Sequence, residues 1–235
     1  MAYPQIGISF GSIQNLKGLG LEFKDTFSDS SIFWAWRTYL GITPANKTIA
    51  EEEGRLKIAI ASGIQGRWDS SYNEAPRIFI SPTALPCEII TKLVEFTENN
   101  NVQAGLFIAK APLSIGANNP LAIVRRKSTE ATPIDGVAVT WDGISVLAYA
   151  NGITTLPIWF RIRIANATYY AMKAIFDYSV DGVNWTTLWT ENATTVFNSY
   201  SVAAGLNAQN NVYLAGASAV YASFDFFRML PKTVK

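Results

Sequence analysis

WFRIRIANATYYAMKAIFDYSVDGVNWTTLW, residues 159–189, holds two alternating runs and one turn signal. In the first run Phe160, Ile162 and Ile164 leave one side of the chain, and Arg161 and Arg163 leave the other. In the second, Tyr170, Met172, Ala174, Phe176 and Tyr178 oppose Tyr169, Lys173 and Asp177. A period of two predicts half-buried strands, because successive side chains leave opposite sides of the pleat. Asp181-Gly182 supplies the left-handed backbone of a tight hairpin. Trp185 and Trp189, with Leu188 on the other face, are expected to open a third strand. Three successive antiparallel strands with one apolar face need a second layer to cover it.

The pattern extends in both directions. GRLKIAIASG sets Leu56, Ile58 and Ile60 against Lys57 and Ala59. RIFIS and EIITKLVEFT predict two more strands. After the NNN turn, VQAGLFIAKAP is expected to pair back as a hairpin, with Val102, Ala104, Leu106 and Ile108 on one face. LAIVRRKS predicts a short strand, and VAVTWDGISVLAYA a hairpin turning at Asp142-Gly143. SYSVAAGL, VYLAGASA and ASFDFFRML bring the total to about a dozen strands, and no amphipathic helix of ten residues stands out. AEEEGRL is too short and is broken by Gly54. Residues 1–22, with glycines at 7, 11, 18 and 20, read as an N-terminal arm, residues 23–230 as one sandwich domain, and 231–235 as a tail.

Composition narrows the chemistry. Charged residues make up 16% of the 235, and the net charge of +1 offers no electrostatic footprint for nucleic acid or an anionic membrane. No stretch approaches the roughly 20 apolar residues of a membrane-spanning helix. The chain has no His, which removes the commonest general base and metal ligand together. Cys87 is the only cysteine, so no internal disulfide forms, and it reads as a buried apolar residue. The opening MAYPQIGISFGSIQ lacks a basic region ahead of an apolar run, which predicts no secretory signal and synthesis in a cytoplasm.

The order of motifs resembles the concanavalin-A-like lectin/glucanase superfamily, in particular its bacterial and viral branch related to laminin-G-like jelly rolls. Carrying the resemblance are the F-x-D-x-F of Phe23 to Phe27, the G-R-L of Gly54 to Leu56, and KLVEFTENNNVQAGLFI at 92–108. WFRIRI, YSVDGVNW at 178–185 and F-D-F-F-R at 224–228 complete it, so that it spans Phe23 to Met229. It implies an all-β fold, a jelly-roll sandwich of two antiparallel sheets. It implies no single activity, since one fold hosts many functions. Glucanases of this superfamily project three carboxylates from one strand in an E-x-D-x-E or E-x-D-x-x-E spacing, and no such triplet occurs here. A serine nucleophile has neither a His partner nor a G-x-S-x-G elbow. The superfamily also implies a structural calcium, for which Asp25 and Asp225, on the first and last strands, are the candidates.

Six residues are candidates for ligand binding. Trp68 and Tyr72 sit in the polar loop QGRWDSSYNEAP, where a large aromatic needs a reason. Arg161, Arg163, Lys173 and Asp177 share the polar face of adjacent strands. These features lead to the expectation of a non-enzymatic recognition protein. A virion subunit is expected first: a phage decoration, fibre or receptor-binding protein, homo-oligomeric, made in the host cytoplasm and joined to other virion subunits. The alternative is a carbohydrate-binding module or lectin that binds a glycan at a cell surface or outside the cell. An atypical glycoside hydrolase is third.

Overall fold

The computed structural model describes residues 23–29, 32, 36–41, 43–69, 72–83, 86–110, 120–129, 133–143, 145–165, 173–192, 202–210 and 218–231. The expected arm at 1–22 lies outside them, as do Tyr169, Tyr170 and Met172 of the central stretch and residues 232–235 of the tail. Among the described residues, fifteen strands form two sheets. Sheet A runs β13 (Thr186–Asn192), β12 (Lys173–Ser179), β11 (Ile158–Ala165), β6 (Cys87–Phe96), β15 (Val220–Pro231), β4 (Arg55–Ile60), β3 (Lys47–Glu52). The short β1 (Phe23–Asp25) lies along the C-terminal half of β15, with Phe23 opposite Met229. Sheet B runs β10 (Ser145–Asn151), β9 (Ile134–Trp141), β8 (Leu121–Ser128), β7 (Val102–Lys110), β14 (Val202–Asn210), β5 (Arg77–Thr83), β2 (Arg37–Tyr39). Every pairing is antiparallel.

Alternation decides what lies between the sheets. Phe160, Ile162 and Ile164 of β11, Ala174 and Phe176 of β12, and Leu56 and Ile58 of β4 are fully buried, as are Val102, Ala104, Leu106 and Ile108 from sheet B. Each large apolar side chain buried this way contributes about 1.5–3 kcal/mol. Cys87 is also buried in this core. The all-β two-sheet architecture expected from the sequence is therefore present, and β11–β12–β13 is the expected meander.

Three local expectations need correction. The β6 and β7 strands do not form a hairpin: β6 lies in sheet A and β7 in sheet B, so residues 97–101 cross between the sheets. Sequence adjacency favoured pairing, but both strands bury a full apolar face and each needs the opposing sheet to cover it. AEEEGRL is half of a hairpin, β3 turning into β4 at Glu53-Gly54, where φ is 55° and 73°. The Asp142-Gly143 turn has the same left-handed pair (53° and 68°), as a two-residue hairpin requires. The Asp181-Gly182 turn differs, because among its residues only Gly182 is left-handed (75°), inside a longer connection over residues 180–185.

The third correction concerns the tryptophans. Phe176 pairs Trp189 but Asp177 pairs Thr187, so the register slips by one residue and Leu188 is the extra residue of a bulge. A bulge shifts the alternation of everything beyond it. Trp189 therefore packs with Leu188 against the core, while Trp185 stands on the outer face.

Candidate functional site

The outer face of sheet A gathers three of the six sequence candidates around one carboxylate. Asp177 lies opposite Arg161 in the β11–β12 register and is fully buried. Its Oδ2 accepts from Arg161 Nε (2.9 Å) and Arg163 Nε (2.7 Å). Its Oδ1 accepts from Arg163 Nη2 (3.0 Å) and from the Thr187 hydroxyl (2.6 Å). Burial alone would raise the carboxyl pKa, but donation from Arg163, Thr187 and Arg161 outweighs it and holds the group below the usual carboxylate range. The same bonds raise the Arg163 guanidinium, with the Asp177 hydrogen bond as the main cause. Lys173, the fourth candidate on this face, is exposed at the far end of β12 and pairs through its backbone with Ala165 and Asn192. Among the described residues it makes no ion pair with the Asp177 cluster.

Two tryptophans flank this cluster. Trp159 pairs Ser179 of β12, and Trp185 immediately precedes β13, whose first residue, Thr186, pairs Tyr178. Both indoles are half-buried. The Arg161 guanidinium lies over the Trp185 ring at 4.1 Å, and Lys92 Nζ stands 5.3 Å from the Trp159 ring centre. Lys92 is paired with Asp225 at 2.8 Å.

The connection beside these rings is built by Asp181. Its carboxylate takes the Asn184 side chain (2.7 Å) and the backbone N–H groups of Val183 (2.8 Å) and Asn184 (2.7 Å), and it bonds the Ser179 hydroxyl (2.8 Å). These donors, the Asn184 amide first, hold its pKa well below the usual range. A Cβ on Gly182 would stand 3.0 Å from Cε2 of Trp159, at a left-handed φ. Gly182→Val is therefore expected to cost about 1–2 kcal/mol, read as a lower denaturant midpoint. An unchanged midpoint would mean that the turn does not press on Trp159 as described.

Trp68 and Tyr72 lie on the other side of the molecule, over sheet B. Trp68 is 2% exposed: its ring meets Phe107 edge-on at 4.9 Å and takes the Arg77 guanidinium at 4.1 Å. Its backbone N–H donates to Gln209 Oε1 (3.0 Å), and Gln209 and Gln103 both donate to the Gly143 carbonyl (2.7 and 2.8 Å). The loop is thus sewn to the sheet, and Trp68 is a packing residue with no open face for a ligand, contrary to its selection as a binding candidate. Tyr72 is half-buried, with Arg67 over its ring at 5.1 Å and its N–H on Asp69. Arg77, buried beneath Trp68 and Tyr39, has its pKa lowered to about 10 by that burial.

The two calcium candidates are each engaged by donors of the protein itself. Asp25 pairs Phe227, and its carboxylate accepts from Trp36 Nε1 (2.7 Å) and the Phe27 N–H (2.8 Å). Asp225 lies in the irregularity between Phe224 and Phe227 and faces Lys92. Among the described residues no three His, Cys, Asp or Glu side chains gather to hold a metal ion. The pair does not fit an ion that takes six to eight oxygen ligands.

The sequence reading missed Trp159, Trp185, Lys92 and Thr187. Trp159 carried a signal, because it shares the parity of Arg161 and Arg163. Trp185 carried none, since its face depends on a bulge.

No protein-family model and no curated protein matches the chain. Among solved structures, a xylan β-1,4-xylosidase from Bacillus halodurans C-125 superposes with a TM-score of 0.61 at 17% identity. The match covers 88% of this chain but 38% of the xylosidase, so this chain spans well under half of that protein's length. Lectin I-B4 from Griffonia simplicifolia matches at TM-score 0.58 and 13% identity over 89% of this chain and 98% of the lectin. The alginate lyase Aly36B matches at 0.55 and 9% identity, over 91% and 98%. At these identities the likeness is one of fold. The chain is an all-β, two-sheet antiparallel sandwich of the concanavalin-A-like kind. The expectation that it is non-enzymatic does not stand, because a xylosidase and a lyase share this fold. The missing His and the missing acidic triplet exclude two particular catalytic arrangements and nothing broader.

Proposed function

We propose that this chain binds carbohydrate, and that the outer face of sheet A is the platform. The observation that carries this is the presence of two half-buried indoles, Trp159 and Trp185, beside the Arg161–Asp177 cluster. Sugars present flat C–H faces that stack on aromatic rings, and the adjacent Arg161, Arg163 and Lys92 offer hydrogen-bond donors for hydroxyls. Lectins that share the fold over nearly their whole length support the reading. Such a platform serves a lectin, an accessory module or the substrate-holding face of an enzyme equally well. The virion role expected from the sequence rests on composition and on residues 1–22, outside the described structure, and none of the structures named above adds to it.

Trp185→Ala tests the platform. A central aromatic anchor is worth about 2 kcal/mol, so affinity for a retained polysaccharide in native affinity gels should fall roughly thirtyfold. The thermal midpoint should move by only a few degrees, because the ring is partly in solvent. Unchanged retardation of Trp185→Ala in a gel that retards the native chain would place the sugar elsewhere.

A further inference from the structure

On the reading that sugar lies on this face, we propose that the preferred glycan is acidic and that Arg161 receives its carboxylate or sulfate. Arg161 is held at two points: Nε donates to the buried Asp177, and the guanidinium plane lies over Trp185 at 4.1 Å. Its side chain is 17% exposed, and among the described residues Nη1 and Nη2 make no hydrogen bond. Both terminal nitrogens of a fixed, planar, permanently charged group are therefore open to a ligand. That fork matches the two oxygens of a carboxylate or sulfate, and holding it in advance reduces the entropy lost on binding.

The charges around it point the same way. Asp177 is shared by two guanidiniums, and Arg163 takes both of its oxygens and also stands opposite Glu88. Lys92 is matched by Asp225. Among the described residues Arg161 thus has only a share of one carboxylate. An acidic sugar would place its ring against Trp185 and its anion on the guanidinium that lies over the same indole.

Three soluble probes test this by calorimetry at moderate and high salt: polygalacturonate, a sulfated galactan and an unsubstituted galactan. At least one charged polymer should bind about tenfold or more tighter than the neutral one. Arg161→Gln should remove that preference, and Arg161→Lys, which keeps the charge without the fork, should restore it only in part. Thermal midpoints of both variants show that the fold is intact. Preference for polygalacturonate alone identifies a carboxylate, and preference for the sulfated polymer alone identifies a sulfate. Equal affinity for neutral and charged polymers overturns the acidic preference and leaves the sugar platform standing. A charge preference that survives Arg161→Gln removes Arg161 from the site. Failure to bind any of the three overturns both readings.

Discussion

Gly205→Ala should lower the unfolding free energy by about 3 kcal/mol or more, a large effect for one added methyl group. Gly205 lies in the middle of sheet B, between Phe79 of β5 and Phe107 of β7. A Cβ placed there would run into the Ile78 carbonyl oxygen and stand 2.7 Å from Phe79 Cα. Both obstacles are backbone of the neighbouring strand, so no rotamer change relieves them, and β5 or β14 must move. Each kcal/mol is worth about 2–4 °C in a chain of this size, so the thermal midpoint should fall by roughly 6–12 °C. A variant that melts with the native chain would show that β5 and β14 do not approach this closely.

Asp177→Ala should cost a similar amount by a different route. It leaves the Arg161 and Arg163 guanidiniums facing each other and strips Thr187 of its acceptor. Removing one partner of a buried charged group costs about 3–5 kcal/mol. The arginine side chains are 17% and 29% exposed, so water relieves part of this and the lower end applies. The same carboxylate sets a pH dependence. Its folded pKa lies below the value of about 3.9 expected in an unfolded chain. Its contribution is therefore complete above that value and is lost as pH falls through the lower, folded pKa. Asp177→Asn cannot titrate, so its denaturant midpoint should fall less between pH 5 and pH 2 than that of the native chain. Equal slopes for the two proteins would mean that Asp177 does not carry the linkage.

On the proposed reading, glycan binding by this face should follow the same residue. Losing Asp177 frees the Nε of both arginines and loosens Arg161 over Trp185. Positioning and charge then change together, which is why Arg161→Gln is the cleaner probe of ligand preference.

The sequence by itself determined the strand faces wherever the ladder is regular. Phe160, Ile162 and Ile164 face the core and Arg161 and Arg163 face outward because a pleat with one covered side allows no other placement. It also determined that Asp177 shares a face with those arginines, since parity carries across an antiparallel pair of known register. Only the tertiary structure decided the rest. Trp68 became a packing residue because its loop folds over sheet B onto Phe107, a contact between positions far apart in the chain. The strands β6 and β7 separated into different sheets because each needed an opposing layer, a demand no local pattern records. Trp185 and Trp189, equal in parity along the chain, were sent to opposite faces by a single extra residue at Leu188. A bulge forms where cross-strand packing favours it, so the faces of the two residues are set only once β12 and β13 have paired.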